Sequence, residues 1–139
     1  LNPIARVFGD DIVVSHVFEV LPNERALLVL SHISEGERVY HATATDSFLV
    51  SRTAVTVRKS LDDYLNVLGG ILIYCAGCIA PIRGRLNEIA HIYRRMVRGA
   101  PFVGAATYGE QGSLIVNGRI MNFHANQMIH TVLFTKRRV

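Results

Sequence analysis

Cysteine is scarce in this sequence, two residues in 139, which excludes a small disulfide-framework scaffold. Charge is scarce too. Asp, Glu, Lys and Arg make up 19% while half the residues are hydrophobic, so the chain has the apolar material to fold and is not a disordered tail. No internal repeat, low-complexity tract or long linker interrupts it. It opens on Leu1 with no basic-then-apolar leader. The expectation is one continuous domain over residues 1–139, excised from a longer protein, large enough to build a core without metal or disulfide staples.

Long hydrophobic runs are nearly absent. The one stretch that reaches spanning length is Tyr64 to Ile82, 19 residues without a charge. Asn66, Gly69, Gly70, Gly77 and Pro81 interrupt it, which suits a helix end, a Gly-Gly break and a short core strand better than a membrane span. No membrane insertion is expected.

Charge is also unevenly placed. The formal charge is +4, but residues 1–75 carry −3 and residues 76–139 carry +7. The excess sits at Arg83, Arg85, Arg94, Arg95 and Arg98 and at Lys136-Arg137-Arg138. A basic half raises a nucleic-acid reading, yet the arginines lack aromatic interleaving. A helix face plus a terminal tail accounts for them, and no nucleic-acid partner is expected.

What is present alternates in period. Residues 11–20, 26–33 and 38–45 are β-branched or alternating runs separated by Pro22-Asn23 and by Ser34-Glu35-Gly36-Glu37, and read as three antiparallel neighbours. From Asp46, a plausible N-cap, apolar residues recur at helical spacing through Tyr64, Leu65 and Leu68 to a stop at Gly69-Gly70. Ile71 to Cys75 reads as a buried strand. A second helix runs from about Leu86 to Val97, with Leu86, Ile89, Ala90, Tyr93 and Met96 as its stripe and Gly99 and Pro101 as its stop. Strands follow at Pro101–Tyr108, Leu114–Val116 and Met128–Thr135. The order β-β-β-α-β-α-β-β-β gives an α+β fold, a mixed and mainly antiparallel sheet covered by two main helices.

Three segments hold the residue types that chemistry uses. Cys75-Ala-Gly-Cys78 is open to a structural or ligand-lining, a redox or a metal reading. Zinc would need two more ligands, which no second C-x-x-C or His pair supplies. Ala80-Pro81 and Arg83-Gly84 are expected to separate the pair from the next helix, unlike a redox pair that opens one. In Thr107-Tyr108-Gly109-Glu110-Gln111-Gly112, a carboxylate stands between glycines at a strand end. Such a group suits an amine or hydroxyl; a plain turn with an exposed Glu is the alternative. His124-Ala125-Asn126-Gln127 offers donors and acceptors for a small polar ligand, or forms a polar turn. No nucleophile elbow, H-x-H or H-E-x-x-H occurs, and no enzyme is expected.

Taken together, these pieces resemble the C-terminal half of the FIST family of intracellular signal-transduction sensors. The resemblance rests on Asn2-Pro3, on Ile33 to Val39, on the strand ending at Cys75-Ala-Gly-Cys78, and above all on Gly104 to Gly112 followed by Asn126-Gln127. The chain departs from the family's C-x-x-R at Cys78, and Ala125 splits His124 from Asn126.

The resemblance implies a cytoplasmic, non-catalytic sensory domain, without cofactor or metal, that binds a small polar ligand such as an amino acid. It implies a site of Cys75, Tyr108, Gly109, Glu110, Gly112, His124, Asn126 and Gln127. Glu110 would receive an amine. The implied partners are an N-terminal FIST half and a signalling module in the full-length protein. The alternative is a protein-interaction scaffold with a degenerate pocket.

Overall fold

The computed structural model describes residues 2–9, 11–61 and 65–137. Strands β1 (Ile4–Phe8) and β2 (Asp11–Ser15) form a hairpin, and the short β5 (Tyr40–His41) pairs with the other edge of β1. β3 (Val17–Leu21) and β4 (Ala26–Val29) make a second hairpin. The helix α1 (Asp46–Ser60) leads into an eleven-residue strand, β6 (Leu65–Cys75). Next come α2 (Ala76–Ile82), one 3-10 turn (Arg83–Arg85) and α3 (Leu86–Met96). β7 (Phe102–Thr107), β8 (Glu110–Val116), β9 (Arg119–Ala125) and β10 (Ile129–Arg137) complete the chain.

The expected α+β class holds. β6 is the centre of a mixed sheet, antiparallel to β10 on one side and parallel to β7 on the other. The helical segment between β6 and β7 is the crossover that a parallel pair requires. Val57 of α1, Ile82 of α2, Tyr93 of α3 and Val97 pack on Leu72 and Tyr74 of β6 and are almost wholly shielded from solvent. Alternation explains the β6 side of that core, because Leu72 and Tyr74 point inward while Ile71 and Ile73 are half-buried.

Several expectations are corrected. The run 11–20 is two strands, broken at His16, whose N–H reaches the Asn126 side chain instead of a sheet partner. The three expected neighbours are not one sheet: β3 pairs with β4, but the run 38–45 shrinks to β5 and joins β1. The first helix does not reach Gly69; it ends at Ser60, capped by Thr45 rather than by Asp46. Tyr64 lies outside the described residues, while Leu65 and Leu68 belong to β6.

Gly69-Gly70 is strand interior. Tyr93 stands over Gly70, and a Cβ there would run into its hydroxyl. That hydroxyl is anchored 2.7 Å from Thr131 Oγ1 and donates to the Ile71 carbonyl at 3.3 Å. The second expected helix is correct to one residue, although only Ile89 and Tyr93 of its stripe are fully buried. β9 was not expected at all. Asn117 and Gly118 both have positive φ and turn β8 directly into it, which is the hairpin use of an Asn-Gly pair.

Candidate functional site

The parallel pairing of β6 and β7 sets Cys75 opposite Thr107, so both strands end at one edge of the sheet. Two residues after Thr107 the chain turns at Gly109, with φ +77°, and Glu110 starts β8 opposite Ala125 of β9. The Cys75 N–H in turn donates to the Met128 carbonyl at 3.1 Å, just before β10. Three distant segments, 75–78, 107–110 and 125–128, thereby converge. In open sheets with parallel strands, carboxyl-terminal strand ends are where ligands are usually held.

Glu110 is 1% exposed. Its Oε1 accepts a 3.0 Å hydrogen bond from the Thr107 hydroxyl, and its Oε2 is buried with no partner in hydrogen-bonding geometry. Burial first, and then the charge of the Cys75 sulfur, push its carboxyl up to about 7; the Thr107 hydroxyl opposes that shift. The carboxyl is therefore about half protonated at neutral pH. An exposed turn glutamate is excluded.

Cys75 and Cys78 are free thiols, both buried. Contrary to the sequence expectation, α2 begins immediately after Cys75, which occupies its N-cap, and Cys78 lies within its first turn. Pro81 lies inside this helix, one residue before its last, instead of preceding it. The Cys78 thiol beside it is the largest cause holding the Cys75 thiol below its ordinary range, with backbone N–H groups of Gln127, Gly77 and Cys78 adding to it. Cys75 makes no N-cap hydrogen bond of good geometry, so the N–H groups of Gly77 and Cys78 act on its sulfur as nearby dipoles. Cys78 is pushed up by the Cys75 sulfur and by burial, with the Glu110 carboxyl adding a smaller push.

The remaining expected residues divide. Asn126 is buried, its side-chain oxygen accepting from the His16 N–H at 3.4 Å and its own N–H donating to the Val14 carbonyl at 2.9 Å. Gln127, with φ +56°, places its Nε2 2.7 Å from His16 Nδ1. These two residues tie β2 to the loop before β10. Gly112 makes room for the His130 ring, whose neutral form burial favours. His124 is exposed beside Gly109 and pairs across from Gln111. Tyr108 is 95% exposed and stands apart.

Three cavities lie nearby. One of about 180 Å³ is walled by Ile12, Val14, Leu49, Tyr74, Met128 and Ile129, with Arg52, Cys78 and Gln127 on its lining. A cleft of about 670 Å³ runs between α1, β8 and β10, and a third of about 410 Å³ lies along β8 and β9 by Gly112 and His124. Glu110 lines none of the three. Arg52, on the cavity face of α1, and Cys78 were not among the expected site residues. The C-x-x-C pattern signals Cys78; nothing in the sequence marks Arg52 from other helix arginines.

Among the described residues no group of three His, Cys, Asp or Glu side chains could hold a metal ion, and no helix is long and apolar enough to cross a membrane. A family model described as the FIST C domain matches residues 1–113. No curated protein and no solved structure matches the chain. Glu110 and Gly112 fall within the matched stretch; His124, Asn126 and Gln127 lie beyond it.

Proposed function

The chain belongs to the FIST C domain family, a family of signal-transduction sensor domains, and from that premise we propose that it is a non-catalytic, cytoplasmic domain that binds a small polar ligand such as an amino acid. The observation that carries this reading is the cavity beside Arg52 and Gln127. Its volume of about 180 Å³ is below the roughly 300–1,000 Å³ usual for drug-sized ligands, which suits an amino-acid-sized molecule. Its walls are mostly aliphatic, fit for an apolar side chain. The Arg52 guanidinium offers a planar fork for a carboxylate, and Gln127 offers an amide oxygen for an ammonium.

This reading gives the ligand's polar contacts to Arg52 and Gln127 rather than to Glu110, whose carboxyl is buried away from the three cavities. Free thiols at Cys75 and Cys78 agree with a reducing compartment. An N-terminal FIST half and a signalling module are the proposed partners within the full-length protein. Calorimetry against a panel of amino acids tests the reading. One or more should bind, with Arg52→Ala losing at least about tenfold in affinity, the value of one charge-assisted pair. Heat from no member of the panel, or binding indifferent to Arg52→Ala, would sink it.

A protein-interaction scaffold is the second reading. Phe18, Val20, Leu27 and Leu28 on the β3–β4 hairpin are large apolar side chains left in solvent. Its signature would be association abolished by Phe18→Glu in a chain that answers to no amino acid.

A further inference from the structure

Two small thiols in an apolar core are normally inert, and valine or alanine would fill the same space. Here the apolar core that holds the pair is broken by one acidic group. A glutamate with 1% exposure stands beside it, one oxygen held by Thr107 and the other without a partner. Burying such a group costs free energy that packing does not return. Its presence calls for a proton to accept or deliver, and its neighbours with protons to lose are Cys75 and Cys78.

The backbone permits the pair to close. Cys75 at the N-cap and Cys78 in the first turn of α2 are three residues apart, roughly 4.5 Å of helical rise and about 5 Å between Cα atoms. That is inside the roughly 4.4–6.8 Å span of Cα atoms that a disulfide bridges. Access is narrow: Cys75 is 5% exposed and Cys78 2%, but Cys78 also lines the cavity of about 180 Å³. This path opens on Cys78, and Cys75 behind it lines none of the three cavities, so the oxidant can be no larger than a small hydroperoxide.

We infer that Cys75 and Cys78 are an oxidisable dithiol, closed to an intramolecular disulfide by hydrogen peroxide or a similarly small hydroperoxide, with the Glu110 carboxyl carrying protons for the pair. The Cys75 thiolate attacks one peroxide oxygen, the O–O bond breaks, and the leaving hydroxide takes the Glu110 proton to become water. Cys75 is now a sulfenic acid. Cys78 gives its proton to the Glu110 carboxylate and attacks the Cys75 sulfur. The S–O bond breaks, and the second hydroxide takes that proton from Glu110. Two thiols have been oxidised, one peroxide reduced, and two waters formed. The depressed ionisation of Cys75 and the raised one of Cys78 agree with nucleophile and resolving thiol in that order.

The test exposes the reduced chain to hydrogen peroxide at neutral pH, then counts alkylatable thiols in denaturant and maps peptides by mass spectrometry. Both thiols should disappear together, with a Cys75–Cys78 bridge lighter by two hydrogen atoms and reversible by dithiothreitol. In Cys78→Ser, Cys75 should stop as a sulfenic acid trapped by dimedone; in Cys75→Ser, Cys78 should remain a thiol. Glu110→Gln, checked for fold by circular dichroism, should slow closure by about tenfold or more and flatten its pH profile around neutrality. Met121, 42% exposed, serves as the internal control. Both thiols persisting once Met121 is oxidised would overturn the inference, as would bridges only between chains. A rate unchanged in Glu110→Gln would overturn the role of the carboxyl.

Discussion

The Thr107 hydroxyl donates to Glu110 Oε1 at 3.0 Å, and among the described residues it is the one neutral side chain that steadies this buried carboxylate. Removing it with Thr107→Val keeps the shape and deletes the hydrogen bond. The Glu110 carboxyl should then rise further above 7, because the bond favours the charged form. Carboxyl carbon shifts followed by NMR across pH would read the change, with stability falling by about 1 kcal/mol.

Glu110 also predicts a pH dependence of stability. Its carboxyl is raised from 4.5 to about 7 in the folded chain, so between those values the native state holds more protons than the unfolded one. Stability contributed this way is full below about 4.5 and is lost as pH rises through 7, at up to about 1.4 kcal/mol per unit of separation. His130, held neutral by burial, acts with the opposite slope below its ordinary range. The difference between urea midpoints of the wild type and Glu110→Gln isolates the Glu110 component. A difference that does not change between pH 5 and 8 would refute the assignment.

Gly70→Ala places a methyl against the Tyr93 hydroxyl and should cost about 1–3 kcal/mol, as overpacking does. Tyr93→Phe removes the obstructing hydroxyl together with its bonds to Thr131 and Ile71. In the double variant the two losses should therefore add to less than their sum. Thermal or urea unfolding of the four proteins completes the cycle.

The Asn117-Gly118 turn sets the register in which Glu110 faces Ala125. Gly118 has φ +74°, so Gly118→Ala should cost about 1–2 kcal/mol. Because β8 then pairs less firmly, peroxide closure of the cysteines should lose part of its dependence on Glu110. Hydrogen exchange of the β8 and β9 amides would show the loosening directly.

Much of the architecture was legible where one period dominated. α3 carries a clean helical stripe and ends on Gly99 and Pro101, and its limits match within a residue. The segment from Asp46 to Cys75 was harder, since its β-branched and aliphatic residues satisfy both periods and tertiary pairing with β10 and β7 decides for strand beyond residue 65. Gly69-Gly70 misled for a physical reason. A glycine pair ends helices through its backbone freedom, yet here it serves by lacking a side chain beneath Tyr93. At the site, Glu110 and the C-x-x-C could be picked out by residue type. Their meeting depends on the parallel register of β6 with β7 and on the hairpin that Asn117-Gly118 turns.

The central strand has a consequence for how the chain can be divided. β6 owes one whole edge to the nine residues of β10, and Glu110 owes its facing strand to β9. Both partners lie beyond residue 113, where the family match stops. A fragment cut there would leave the β10-facing edge of β6, paired over nine residues in the whole chain, with unpaired backbone donors and acceptors along a strand of mostly aliphatic side chains, an open template for other copies to pair with. Since β10 covers that edge from within the chain, excision of the family-matched segment should yield aggregates instead of a smaller domain.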